Sequence, residues 1–226
     1  MTFRDRNEAG RKLAAQLLHY KDQDPVVLAL PRGGVPVGYE VARALHAPLD
    51  IIVVRKVGAP GQPEFGIGAV VDGDHPEGVL DEDTVRLLNV SQDYLDRQIA
   101  LELREIRRRQ EVYRRGRAPI PLNGRTVVVV DDGIATGGSM RAALRAVRRA
   151  APKHLVLAVP VAPPETIESL RSEVDDVVCV STPVAFRAVG QFYEEFQQTT
   201  DDEVIRLLDA AQVRWGGDSR CADQVP

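Results

Sequence analysis

The sequence predicts an α/β fold, a parallel sheet flanked by helices, and three observations carry that prediction. Short, continuously apolar runs rich in valine and isoleucine recur along the chain, as strands buried on both faces require. Segments with apolar residues at helical spacing separate them. Each run stops in glycine, proline or charged residues, the punctuation of strand-to-helix connections. A chain of 226 residues, 44% hydrophobic and 27% charged, is long enough to bury such a core in one domain.

The elements follow in order. Asp5 to Tyr20 places Ala9, Leu13, Leu17 and Leu18 on one helical stripe. Pro25 to Leu30 reads as the first strand, ending in Pro31-Arg32-Gly33-Gly34. A helix over Val37–Leu45 leads to a second strand, Leu49–Val54, closed by Arg55-Lys56. Gly58 to Gly68 is broken by glycines and prolines, so a mobile loop is expected there, running into a glycine-rich hairpin strand, Phe65–Val71. Ser91 caps a long helical insertion, residues 91–117, whose apolar stripe is Leu95, Ile99, Leu103, Ile106 and Tyr113. That stripe must pack on its own domain or on a second subunit, and a homodimer is the expectation. Tyr94 reads as a packing residue. Arginines 104, 107, 108, 109, 114 and 115 alternate with glutamate and read as a solvated helix face. Strands over Thr126–Val130, His154–Pro160 and Val177–Val180 alternate with helices over Ser139–Ala150 and Glu165–Ser172. The domain is expected to occupy residues 1–215, and the polar residues 216–226 to form a tail.

Bulk properties exclude several partners. A formal net charge of -4 offers no general attraction to nucleic acid or anionic membrane. The longest apolar runs, such as Leu155 to Ala162, are too short to cross a bilayer, and Met1 to Arg11 lacks the apolar stretch of a signal peptide. Cys179 and Cys221 form no disulfide framework, and His19, His46, His75 and His154 lack metal-ligand spacing. A soluble protein in a reducing, cytoplasmic setting is expected.

The stretch that carries chemistry is Val127-Val128-Val129-Val130-Asp131-Asp132-Gly133-Ile134-Ala135-Thr136-Gly137-Gly138-Ser139. A turn of small residues opening a helix aims several backbone N–H groups at one point, where the helix dipole also favours an anion. Thr136 and Ser139 add hydroxyl donors. Carboxylates beside a phosphate repel it unless they bind something else. Sugar hydroxyls donate well to carboxylates, and a Mg²⁺ shared with the ligand would cancel the repulsion. A ribose 5-phosphate meets both demands. Competing nucleotide motifs fail: no G-x-x-x-x-G-K-[ST] exists, and Gly66-Ile67-Gly68 lacks a third glycine.

This stretch resembles the signature of type I phosphoribosyltransferases: a hydrophobic strand, two acids, then a threonine-glycine-glycine turn. The family commonly has threonine at the last position, where Ser139 keeps the hydroxyl. The resemblance covers about residues 4–210, interrupted by the insertion, and implies a Rossmann-like sheet with a flexible hairpin loop and a C-terminal hood. It implies that Asp131 and Asp132 contact the ribose hydroxyls and hold Mg²⁺ directly or through water. It also implies that Ala135, Thr136, Gly137, Gly138 and Ser139 wrap the 5-phosphate.

Three further segments acquire meaning from it. Pro31-Arg32-Gly33-Gly34 is either a plain strand-to-helix turn or the family's pyrophosphate loop, whose peptide is often strained. Arg55-Lys56 matches an Arg-Lys pair near the pyrophosphate in family members, followed by a flexible lid. The segment 182–198 matches a hood that holds the acceptor, often by aromatic stacking. Phe186, Phe192 and Tyr193 are the candidates for that role, while Phe196 reads as core. The implied activity is transfer of a 5-phosphoribosyl group from phosphoribosyl pyrophosphate to an unidentified nucleophile. Asp131, Asp132, Arg55 and Lys56 are its catalytic candidates. A non-catalytic sensor and a hydrolase of phosphoribosyl compounds are the alternatives.

Overall fold

The computed structural model describes residues 1–71 and 78–215. The proposed tail, His75 and Cys221 lie outside the described residues. In chain order the elements are α1 (Arg6–Leu17), β1 (Pro25–Ala29), α2 (Gly34–Leu45), β2 (Leu49–Ile51), β3 (Val54–Ala59), β4 (Gln62–Val71) and β5 (Gly78–Leu80). There follow α3 (Glu82–Leu87), α4 (Gln92–Arg114), β6 (Thr126–Val130), α5 (Gly138–Arg149), β7 (His154–Val161), α6 (Pro164–Leu170), β8 (Asp176–Ser181) and α7 (Asp201–Trp215).

Five strands form a parallel sheet in the order β2-β1-β6-β7-β8. Every residue of β1 and β6 is buried, which is why both read as unbroken apolar runs. Successive side chains alternate between two cores. Val27, Ala29, Val128, Val130 and Val156 pack with Leu13, Val41, Ile106 and Leu208, on the side of α1, α2, α4 and α7. Val26, Leu28, Val127, Val129 and Leu155 pack with Met140, Leu144, Ile167 and Leu170, on the side of α5 and α6. The expected parallel sheet flanked by helices is the fold found.

Two boundaries need correction. The second parallel strand ends at Ile51, not Val54. Ile52 still donates a backbone hydrogen bond to Ala29, at 3.1 Å, and Ile52 and Val53 stay buried. The run therefore looks like strand after it has left the ladder. Val54 instead begins β3, in which Arg55 and Lys56 pair with Val70 and Ala69 of β4. The expected irregular loop is likewise a hairpin: β3, β4 and β5 form an antiparallel sheet of their own, and only Pro60 and Gly61 separate β3 from β4. Its breakers have local reasons. The register shifts around Gly58, and β5 pairs β4 only from Gly68 to Val70, so proline at position 63 faces no ladder on that side.

The α4 stripe is used within the chain. Leu95, Ile106 and Tyr113 are buried, and Ile99 and Leu103 pack against the same core. It therefore lends no support to a dimer. The Tyr94 hydroxyl donates to the Gly58 carbonyl at 3.0 Å and fastens the hairpin to α4. Arg114 is not on the solvated face: its Nε donates to buried Asp50 at 3.0 Å and its Nη2 to the Ile51 carbonyl at 3.0 Å. Arg104, Arg107, Arg108 and Arg115 are exposed as expected, and Arg109 pairs with Glu105.

Candidate functional site

Neighbouring β1 and β6 send their helices to opposite faces of the sheet, α2 to one and α5 to the other. That reversal is a topological switch point, where open α/β sheets hold ligands at the carboxyl ends of their strands. The Leu30 amide bonds the Val130 carbonyl at 2.9 Å, so the loop 31–34 and the turn 131–139 leave the sheet side by side.

The turn is anchored from below. The Ile134 amide bonds the Val161 carbonyl at 3.0 Å, and Thr166 Oγ1 donates to the Ala135 carbonyl at 2.7 Å. Gly137 lies in the left-handed region, φ 80°, and no side chain caps the helix that follows. The leading N–H groups of α5 are left for a ligand. Ala135, Thr136 and Gly138 are exposed, Ser139 is half-buried and Gly137 is buried. A Cβ at Gly137 would meet Thr166 Cγ2 at 3.1 Å, whereas one at Gly138 would meet nothing within 4 Å. The open space lies at the helix entrance.

The acids are the most constrained groups of the site. Asp131 Oδ1 accepts the Asp132 amide at 2.8 Å, and Asp132 Oδ2 accepts Arg6 Nε at 2.7 Å. Arg6 and Asp132 side chains are only 12% and 13% exposed. The loop 31–34 lies directly on them: a Cβ at Gly33 would stand 2.1 Å from Asp132 Oδ2, and one at Gly34 would stand 2.9 Å from the Asp131 Cα. Glycine is therefore needed there to accommodate the acids, as well as any anion. Burial pushes the Asp131 carboxyl well above the ordinary carboxylate value, and the neighbouring Asp132 charge adds to it. Burial also raises Asp132, but the Arg6 guanidinium pulls it back.

The remaining expected residues divide. The Pro31–Arg32 peptide is cis, and Arg32 Nη1 lies 3.4 Å from Asp201 Oδ1. Arg55 turns to Glu102 at 2.7 Å on α4, and Lys56 is exposed on the hairpin. Among the described residues neither forms an ion pair with Asp131 or Asp132. Of the hood aromatics, Phe192 and Tyr193 are buried with Phe3 in a small third core, and half-buried Phe186 packs against Phe192 at 5.0 Å. Phe192 and Tyr193 are thus largely withdrawn from solvent, whereas Phe186 stays partly exposed. Tyr193 instead fastens the hood, its hydroxyl donating to the Asp132 carbonyl at 2.5 Å. Phe196, expected in the core, is 37% exposed and stacks on Tyr193 at 5.0 Å. The Arg6 guanidinium lies 4.0 Å from its centroid. Sequence reading missed Arg6, because its contact with Asp132 joins residues 126 apart and no local pattern marks it.

An acid pair and an uncapped helix N-terminus lie together at the switch point of a parallel α/β sheet. The comparisons narrow this. Residues 4–197 match the model of the phosphoribosyl transferase domain, and the chain belongs to that family. Two Mycobacterium tuberculosis proteins, named "Putative phosphoribosyl transferase MT0597" and "Putative phosphoribosyl transferase Rv0571c", are each 48% identical over 209 residues, 92% of this chain. The chain spans about half the length of these curated relatives, 47%. The crystal structure of TT1426 from Thermus thermophilus superposes with a TM-score of 0.79 at 48% identity, covering 92% of this chain and 98% of that one.

Proposed function

We propose that the chain transfers a 5-phosphoribosyl group from phosphoribosyl pyrophosphate to a nucleophile, releasing pyrophosphate. The observation that supports this most is the pairing of Asp131 and Asp132 with the uncapped start of α5, hydroxyl acceptors next to a phosphate site. In this reading Ala135 to Ser139 wrap the 5-phosphate, with the Thr136 and Ser139 hydroxyls adding to the backbone donors. Asp131 and Asp132 accept the 2- and 3-hydroxyls. Arg32, Gly33 and Gly34 face the pyrophosphate, with Arg55 and Lys56 as further cations on the hairpin side. The anomeric C–O bond breaks with oxocarbenium character, so the protein's work is clamping the sugar and stabilising the leaving charge. The acceptor enters from the hood, beside the partly exposed Phe196.

The donor set suits Mg²⁺. Among the described residues no group of three or more His, Cys, Asp or Glu converges on a point, so the protein supplies no closed cage. Two carboxylates completed by ligand oxygens are what Mg²⁺ takes at phosphate sites. Asp131 and Asp132 would hold it, directly or through water, and when bound it neutralises charge on the pyrophosphate.

A cytoplasmic small-molecule enzyme of nucleotide metabolism, with neither nucleic acid nor membrane as partner, completes the reading. The free thiol of Cys179 fits a reducing compartment. No described helix is long and apolar enough to cross a membrane. The test is pyrophosphate release from phosphoribosyl pyrophosphate and Mg²⁺ across a panel of bases, amines and sugars. Release that depends on one acceptor class supports transfer. Release with water alone indicates a hydrolase, and tight binding without release indicates a sensor.

A further inference from the structure

Arg32 stands in the loop assigned above to pyrophosphate, yet its position is set by groups that none of the site motifs contains. The Tyr113 hydroxyl, on the last turn of α4, donates to Asp201 Oδ1 at 2.6 Å. Asp201 opens α7, and the same oxygen faces Arg32 Nη1 at 3.4 Å. These three residues come from three separate elements and are 88 and 169 positions apart in the contacts they make. Tyr113 is 1% exposed, so its hydroxyl must find a partner inside the protein, and Asp201 is that partner. The α7 cap is supplied elsewhere, by Thr200 Oγ1 accepting the Glu203 amide at 3.1 Å. Asp201 is thus not needed as the helix cap.

We propose that Asp201, oriented by Tyr113, is a positioning residue that aims Arg32 at the pyrophosphate of the donor substrate. The inference rests on the reading of the site given above. Arginine carries large rotamer freedom, and holding one guanidinium nitrogen on a fixed carboxylate removes much of it before the ligand arrives. The remaining guanidinium donors stay available, since Arg32 is 31% exposed on its side chain. The long α4 thereby gains a purpose beyond packing: its last turn fixes the cation of a loop that lies far ahead of it in the chain. Burial and the Asp201 contact push the Tyr113 hydroxyl up to about 12, and that hydroxyl in turn holds Asp201 below the ordinary carboxylate value. The dyad therefore keeps one charge state across the neutral range.

The test is calorimetric titration of wild type, Asp201→Asn and Tyr113→Phe with three ligands: phosphoribosyl pyrophosphate with Mg²⁺, inorganic pyrophosphate with Mg²⁺, and ribose 5-phosphate. Loss of the ordering sets the scale, so Asp201→Asn weakens both pyrophosphate-bearing ligands about tenfold. Ribose 5-phosphate affinity stays within about twofold, a selectivity that a general loss of structure would not give. Tyr113→Phe keeps the packing volume and weakens the same two ligands in the same sense. Unchanged or tighter phosphoribosyl pyrophosphate binding by both variants overturns the inference alone, as does an equal loss for ribose 5-phosphate. Wild type that binds neither sugar phosphate overturns the reading of the site, and the inference falls with it.

Discussion

Asp131 carries an electrostatic cost in the crevice. Its carboxyl is raised by burial and by the Asp132 charge, while its Oδ1 accepts the Asp132 amide. A carboxyl raised in the fold binds its proton more tightly there than in the unfolded chain. Stability is therefore highest at low pH on this account, and falls as pH rises from the ordinary carboxylate range through the raised value. Asp131→Asn keeps the oxygen that accepts the amide and removes the charge. At pH 8 without Mg²⁺ it should raise Tm by roughly 2–4 °C for each kcal/mol recovered, and the gain should shrink on acidification. The same variant should lose about tenfold or more in ribose 5-phosphate affinity, the worth of a hydrogen bond to a charged acceptor. An Asn variant that is both less stable and fully competent to bind would contradict this view of the acid. Stability and binding should move in opposite directions here.

The start of α5 separates two neighbouring glycines that the sequence makes look alike. Gly137 has a positive φ and its side-chain direction runs into Thr166 and Leu170, so Gly137→Val should destabilise the fold. Gly138 points into open space at the helix entrance, so Gly138→Val should leave Tm nearly unchanged and abolish ribose 5-phosphate binding. Calorimetry on the folded variant checks this, and retained affinity would remove the turn from the site. At the other end of the insertion, Arg114→Ala removes the charge partner of buried Asp50 and leaves it only the Ile51 and Ile120 amides, and should cost about 3 kcal/mol in urea unfolding. An unchanged midpoint would show that the pair is dispensable. Some elements were legible and others were not, for physical reasons. β1 and β6 could be read because burial on both faces leaves unbroken apolar runs, and α4 because Ser91 and its stripe agree. The end of β2 could not, since Ile52 and Val53 remain buried after leaving the sheet. The hairpin was hidden by breakers that a bulge and a one-sided ladder tolerate, and α7 is missing from the sequence reading altogether. In the site, the contiguous turn and acids were visible, whereas the placements of Arg6, Asp201 and Phe196 depend on contacts between distant segments.

At the scale of the molecule, one crevice organises the chain: both helical faces meet at the β1–β6 boundary, the hood is tied to it through Tyr193, and α1 reaches it through Arg6. A homodimer, if formed, must use surface other than the α4 stripe, and Leu87 and Leu101, 84% and 52% exposed, are apolar groups available for it. Sedimentation showing a dimer at micromolar concentration that Leu87→Glu with Leu101→Glu dissociates would support this, and a monomer throughout would end it. The central claim is that the crevice holds a phosphoribosyl group, and a crystal soaked with ribose 5-phosphate tests it most directly. The account predicts the phosphate against the Gly138 and Ser139 amides and the sugar hydroxyls on Asp131 and Asp132, with Arg6 sharing or yielding its place on Asp132. Phosphate bound anywhere else, or a crevice left empty at saturating ligand, would contradict it.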